Sequence, residues 1–66
     1  MDAKTAVHMT DFCHKQTRNF DEFQSMYGKL SRFMNDHADD SIVMSYDYWT
    51  MLNIIERNES DETAKQ

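Results

Sequence analysis

The 66-residue sequence contains no proline and only one glycine, Gly28. Proline and glycine are the residues that most often interrupt helices and mark hairpin turns. Without them, long stretches of the chain can form helices, and only polar clusters remain as turn signals. The sequence therefore predicts an all-α protein whose helices are joined by short polar turns.

The clearest helix is predicted over residues 20–36. Asn19 precedes it as an N-cap, and Glu22 stands where a capping box places its acidic partner. Apolar side chains recur in this segment at spacings of one, three and four, so they share one side of the helix. The side chains of this arc that we expect in the core are Phe20, Phe23, Met26, Tyr27, Leu30, Phe33 and Met34.

A further helix is predicted over about residues 42–57. Residues 37–41 form a polar turn whose side chains can cap it. Because this turn is short, the helices on either side of it should form an antiparallel helical hairpin. A later start is also open, in which residues 42–44 are extended and Ser45 is the N-cap.

The predicted 42–57 helix is apolar around most of its circumference. Ten of the fourteen residues from 42 to 55 are apolar or aromatic. A surface helix needs one apolar stripe, whereas a helix that is apolar all round is buried. We therefore expect this helix to have several neighbours and to contribute an interface with another chain. The predicted interface residues are Ile42, Met44, Tyr46, Tyr48, Trp49, Met51, Leu52 and Ile55.

The two ends of the chain carry weaker patterns. Residues 3–16 favour a short N-terminal helix, and residues 58–66 are predicted to form a disordered acidic tail. A single small domain then spans residues 1–57. If the N-terminal helix folds over the apolar sector around Trp49, the chain is a closed monomer. If it does not, that sector is free for a partner, and the sequence leaves both arrangements open.

A chain of this length buries only a small core, so it is marginally stable without a disulfide, a metal or a partner. Cys13 is the only cysteine, which excludes an internal disulfide and fits a reducing compartment. The first residues lack the apolar segment of a signal peptide, and no apolar run approaches the length of a membrane span. We therefore expect a cytoplasmic protein that self-associates, first of all as a dimer, or binds a protein partner.

Twelve acidic and seven basic residues give the chain a net charge of −5. Such a charge disfavours nucleic acid, because lysine and arginine supply most of the affinity for phosphates. Lys29 and Arg32 share a helix face with acidic residues, which is typical of a solvated face. We do not expect nucleic-acid binding. An acidic surface could instead meet a basic protein, or mimic DNA and inhibit a DNA-binding protein.

The residue types that carry chemistry are not arranged for it. The nearest approach to a metal site is the group His8, Asp11, Cys13 and His14. His8 and Cys13 are five residues apart and would point in different directions on a helix, and His14 would point away from Cys13, so the group does not converge on a metal. Cys13 and His14 supply a thiol and a base, but adjacent helical residues do not face each other. The sequence also lacks a glycine-rich loop for phosphate. We therefore expect no enzymatic activity, no metal and no cofactor.

The segment from Ile42 to Leu52 resembles the strand-to-helix region of the Phd/YefM-type antitoxins. The matching points are an apolar run, Ser45, an aromatic residue at Tyr48 or Trp49, and Leu52. The resemblance covers about a sixth of the chain. The paired strands of that family's DNA-binding half have no counterpart in this sequence. The resemblance implies an alternative function as a DNA-linked transcriptional regulator or antitoxin.

The leading hypothesis is a small non-enzymatic regulatory protein that acts through an apolar helix surface. Aromatic surfaces left over after intrachain packing usually mark interfaces, and tryptophan and tyrosine often anchor them. The six methionines suit an adaptable surface. Composition associates such chains with accessory proteins of phages and prophages.

Overall fold

The computed structural model describes residues 2–65, with side chains through residue 59. The all-α class is confirmed. The helices of the described residues are α1 (Ala3–Gln16), α2 (Phe20–Asp36), α3 (Ser41–Met44) and α4 (Tyr48–Lys65). The predicted bounds of the first two agree with the structure. None of these described helices combines the length and the apolar character that crossing a membrane requires.

Side-chain caps determine where α1 and α2 begin. The Asp2 carboxylate accepts a hydrogen bond from the Thr5 N–H at 2.8 Å, and this bond lowers the pKa of Asp2. The Asn19 side chain accepts from the Glu22 N–H at 2.9 Å. In return, Glu22 Oε1 accepts from the backbone N–H of Arg18, also at 2.9 Å. The predicted cap of α2 is therefore present, with its reciprocal bond one residue before the N-cap.

The prediction of one continuous helix over residues 42–57 is wrong. A turn of three residues, 45–47, separates α3 from α4. The N-cap of α4 is Asp47 rather than the predicted Ser45. The Asp47 carboxylate accepts from the Thr50 N–H at 3.2 Å and from the Thr50 hydroxyl at 2.7 Å. The extended alternative for residues 42–44 is also wrong, because these residues lie in α3.

A Schellman motif ends α3. The Asp47 N–H donates to the Ile42 carbonyl at 3.0 Å, and the Tyr46 N–H donates to the Val43 carbonyl at 3.1 Å. This motif places Tyr46 in the left-handed region, with φ of 58°. Because these backbone groups bond to each other within the motif, α3 does not continue into α4, and the chain changes direction.

The last helix extends beyond its predicted end. Asn58 and Glu59, which open the predicted acidic tail, are helical and exposed. The remainder of that prediction concerns residues 60–66, which lie outside the residues with described side chains.

The antiparallel pair in this fold is α1 with α2. The His14 ring, near the end of α1, packs on the Phe23 ring near the start of α2, with 4.5 Å between centroids. Thr5 and Met34 line a common groove at the opposite ends of the same two helices. The chain therefore reverses direction in the short segment between α1 and α2.

The packing of α2 against the following long helix is present, but the expected antiparallel direction is not. Met26 and Leu52 line one groove between α2 and α4. Further along both helices, Lys29 Nζ lies 3.4 Å from Glu59 Oε1. The contacts thus advance in the same direction along the two helices. The reason is that residues 37–47, including α3, carry the chain back before α4 begins.

All four helices contribute to one core. Its buried side chains are Met9, Cys13, Leu30, Phe33, Met34, Val43, Tyr48 and Met51. Of the core residues expected from α2, the three near its C-terminal end are buried, whereas Phe23, Met26 and Tyr27 are half-buried. Phe20 is 70% exposed, because it lies at the first turn of α2; among the described residues its ring stacks on Phe23 alone, with 6.5 Å between centroids.

Candidate interaction surface

The residues predicted to form an interface divide between the core and the surface. Tyr48 and Met51 are buried, so they hold α4 against the rest of the chain. Ile42, Leu52 and Ile55 are half-buried. The exposed members of the predicted set are Met44, Tyr46 and Trp49. The structure therefore does not bring the whole set together on one surface.

Contacts from α1 cover one side of the apolar sector around Trp49. The Phe12 ring meets the Trp49 ring edge-on, with 5.3 Å between centroids and 81° between planes. Phe12 also packs on Tyr48 at 4.9 Å. Despite these contacts, Trp49 is 58% exposed. The N-terminal helix thus holds the indole in place without burying it.

The turn before α4 is also held by α1. The Tyr46 ring stacks on the His8 ring, with 5.2 Å between centroids and 17° between planes. The Tyr46 hydroxyl lies 3.3 Å from the hydroxyl oxygen of Thr5. These contacts bind the 45–47 turn to the N-terminal half of α1. They therefore fix the position at which α4 begins, and with it the position of Trp49 in the first turn of α4.

A groove of about 670 Å³ lies between α2 and α4, with Trp49 in its wall. The apolar side chains that line it are Met26, Trp49, Leu52 and Ile55. The charged side chains that line it are Asp21, Glu22, Lys29 and Glu56. The groove thus combines an apolar lining with a mainly acidic rim.

The rim of the groove is more negative than its residue count suggests. The ammonium group of Lys29 lies 3.4 Å from the Glu59 carboxylate, so its charge is shared with an acid outside the groove. Glu22 accepts the backbone bond that caps α2. Neither Asp21 nor Glu56 takes part in an ion pair within residues 2–59. These two carboxylates are the rim charges that a cationic ligand would meet.

The groups that could carry covalent chemistry are enclosed in the core. Cys13 is fully buried, and burial raises the pKa of its thiol. Reactive cysteines have the opposite environment, one that is exposed and lowers the thiol pKa. The Tyr48 hydroxyl is buried without a hydrogen-bond partner among the described residues, and burial raises its pKa as well.

Each histidine packs against an aromatic ring. The pairs are His8 with Tyr46, His14 with Phe23, and His37 with Phe33. In the part of the chain that the structure describes, no three His, Cys, Asp or Glu side chains are grouped to hold a metal ion. The histidines therefore contribute to packing between and within the helices.

The acidic rim is the part of this surface that sequence reasoning missed. Asp21 is explained locally by its position in the first turn of α2, where a negative charge favours the helix dipole. Glu56 lies beyond the apolar part of α4 and looks like an ordinary solvated residue. Their placement on one groove depends on the crossing of two helices. Comparison of this chain with protein-family models, with curated proteins and with solved structures finds no match.

Proposed function

We propose that this chain is a small non-enzymatic interaction protein that binds another protein in the groove between α2 and α4. The observation that carries the proposal is the exposure of Trp49 beside the half-buried Leu52 and Ile55 in that groove. Contiguous exposed apolar surface marks sites of association, and tryptophan is enriched among residues that dominate binding energy.

The position of Trp49 supports a role as an anchor. Phe12 contacts its ring edge-on, and Asp47 caps the helical turn from which it projects. A side chain held in place before binding loses less conformational entropy when a partner arrives. Trp49 is therefore suited to insert into a partner or to receive an apolar side chain.

A second copy of this chain is the competing occupant, since a domain of this size gains stability from self-association. Two copies meeting groove to groove would bring their acidic rims together. Like charges at a contact reduce affinity, and the net charge of −5 adds to the repulsion. A different protein with a basic surface is the better match.

The experiment that tests this function is affinity capture from the native cell, combined with sedimentation of the purified protein. The variants are Trp49→Ala in the groove and Phe20→Ala as a matched control, since Phe20 is 70% exposed but does not line the groove. We expect a protein partner to be recovered with the wild type and the control, and to fall about tenfold or more with Trp49→Ala.

Equal recovery of the partner with both variants would show that the groove is not the binding surface. If sedimentation shows a wild-type dimer that dissociates in the Trp49→Ala variant, the occupant of the groove is a second copy of this chain and not a different protein. A monomer from which no variant recovers a partner contradicts the interaction function itself.

A further inference from the structure

We infer that the occupant of the groove is an amphipathic helix of the partner protein, with an apolar stripe bordered by lysine or arginine. This inference rests on the proposed function, which it deepens by naming the chemistry of the partner. It is carried by the length of the groove, by its apolar lining and by the charge of its rim.

The length of the groove matches two turns of a helix. On α2 the lining extends from Asp21 to Lys29, and on α4 from Trp49 to Glu56. These stretches of nine and eight residues are about 12 Å and about 10 Å long at 1.5 Å per residue. A bound helix presents apolar side chains at positions i, i+3, i+4 and i+7, which cover about the same distance.

The apolar lining can accept such a stripe. Met26, Leu52 and Ile55 are half-buried in the free protein, so part of each side chain faces the groove. Methionine adapts its shape to different apolar surfaces, which suits a groove formed between two crossing helices. Trp49 lines the groove together with Gln16, the last residue of α1, and Thr17.

The rim selects the sign of the partner's charge. Asp21 lies on the α2 side of the groove and Glu56 on the α4 side, so carboxylates flank the apolar lining on both helices. Among the described residues of the lining, Lys29 is the only cation, and its Nζ lies 3.4 Å from Glu59 Oε1. Lysine or arginine beside the apolar stripe would therefore meet an acidic residue on either side, whereas an acidic helix would be repelled.

Trp49 is the only tryptophan, so its fluorescence reports on this groove alone. The probes are two synthetic, tryptophan-free helical peptides with the same leucine stripe. One has lysine and the other has glutamate at the flanking positions. We expect the lysine peptide to shift the Trp49 emission to shorter wavelength in a saturable way. It should bind about tenfold or more tightly than the glutamate peptide, and the difference should shrink at high salt.

The rim is tested by the double variant Asp21→Asn with Glu56→Gln. Its matched control is Asp11→Asn with Asp39→Asn, which removes the same charge from exposed positions outside the groove. We expect about threefold to tenfold weaker binding of the lysine peptide to the rim variant, and unchanged binding to the control. Circular dichroism of both variants verifies that helix content is retained.

The outcomes separate this inference from the proposed function. Equal affinity for the two peptides, or equal loss with rim and control variants, overturns the choice of a basic helix. If neither peptide binds although a cellular partner depends on Trp49, the partner's element is not such a helix and the proposed function still holds. If the peptides also fail and no Trp49-dependent partner exists, both proposals fail.

Discussion

Tyr46 is the residue at which the backbone is least favourable. It adopts φ of 58° at the end of α3, a position that usually belongs to glycine. A side chain in this region costs on the order of 1 kcal/mol. The stack on His8 and the hydroxyl contact with Thr5 offset this cost. The ring of Tyr46 thus links the 45–47 turn to α1.

Substitution at Tyr46 separates the backbone cost from the ring contacts. Tyr46→Ala removes the ring but keeps a Cβ in the left-handed region, whereas Tyr46→Gly removes both. We expect the glycine variant to be more stable than the alanine variant by about 1 kcal/mol in urea unfolding. Alanine is otherwise the better residue for a folded chain. An alanine variant as stable as the glycine variant would therefore show that this backbone conformation is not retained.

At the scale of elements, each helix start depends on a polar side chain of the preceding residue. Asp2, Asn19, Asp40 and Asp47 each accept a backbone N–H in the first turn of the helix that follows. The periodicity of residues 20–36 and its cap are local features, which is why the bounds of α2 were predictable. Asp47 likewise caps the helix that follows it. The apolar pattern of the sequence continues on both sides of Asp47, however, so the pattern does not reveal that α3 and α4 are separate helices.

The Asp47 cap should be necessary for both the stability of α4 and the function of the groove. Asp47→Ala removes two acceptor contacts to Thr50, so we expect a loss of about 1 kcal/mol in urea unfolding. Because Trp49 lies in this turn, the lysine peptide should also bind more weakly.

Asp39→Ala serves as the control for Asp47→Ala. Asp39 is exposed in the turn between α2 and α3, so its substitution changes the charge equally without removing a helix cap. If the two alanine variants unfold at the same urea concentration, Asp47 does not support α4 in the way its hydrogen bonds indicate.

At the scale of the molecule, one small core holds two ionisable groups in their neutral forms. Cys13 is fully buried and Tyr48 is nearly so, and burial raises the pKa of both side chains. An acid whose pKa is higher in the folded state favours the folded state until the unfolded chain begins to lose its proton. The core is therefore stable at neutral pH and sensitive to alkali.

The expected consequence is a loss of stability at high pH. The unfolded thiol ionises around its ordinary pKa of 9.0 and the unfolded phenol around 10.0, while both groups stay protonated in the core. The contribution of these two groups to the free energy of unfolding should therefore be constant from neutral pH up to this range and should decrease as pH rises through it. Urea unfolding at pH 7, 9 and 10.5 measures the decrease.

Variants identify the groups that cause the alkaline decrease. Cys13→Ala combined with Tyr48→Phe removes both protons and should flatten the dependence on pH, even though the smaller residue 13 lowers stability at every pH. A slope that persists undiminished in the double variant would place its origin elsewhere in the chain.

The sequence by itself determined the all-α class, the two N-terminal helices and the apolar excess of the segment after residue 42. These properties follow from the absence of proline, from side-chain caps and from helical periodicity, all of which act between near neighbours.

Only the tertiary structure decided where α3 ends, how α4 crosses α2 and which aromatic side chains stay exposed. Each of these depends on contacts between residues far apart in the chain, such as Tyr46 with Thr5 and Trp49 with Phe12. Such contacts select among several arrangements that satisfy the same local pattern. The groove and its acidic rim exist only in the arrangement that these contacts select.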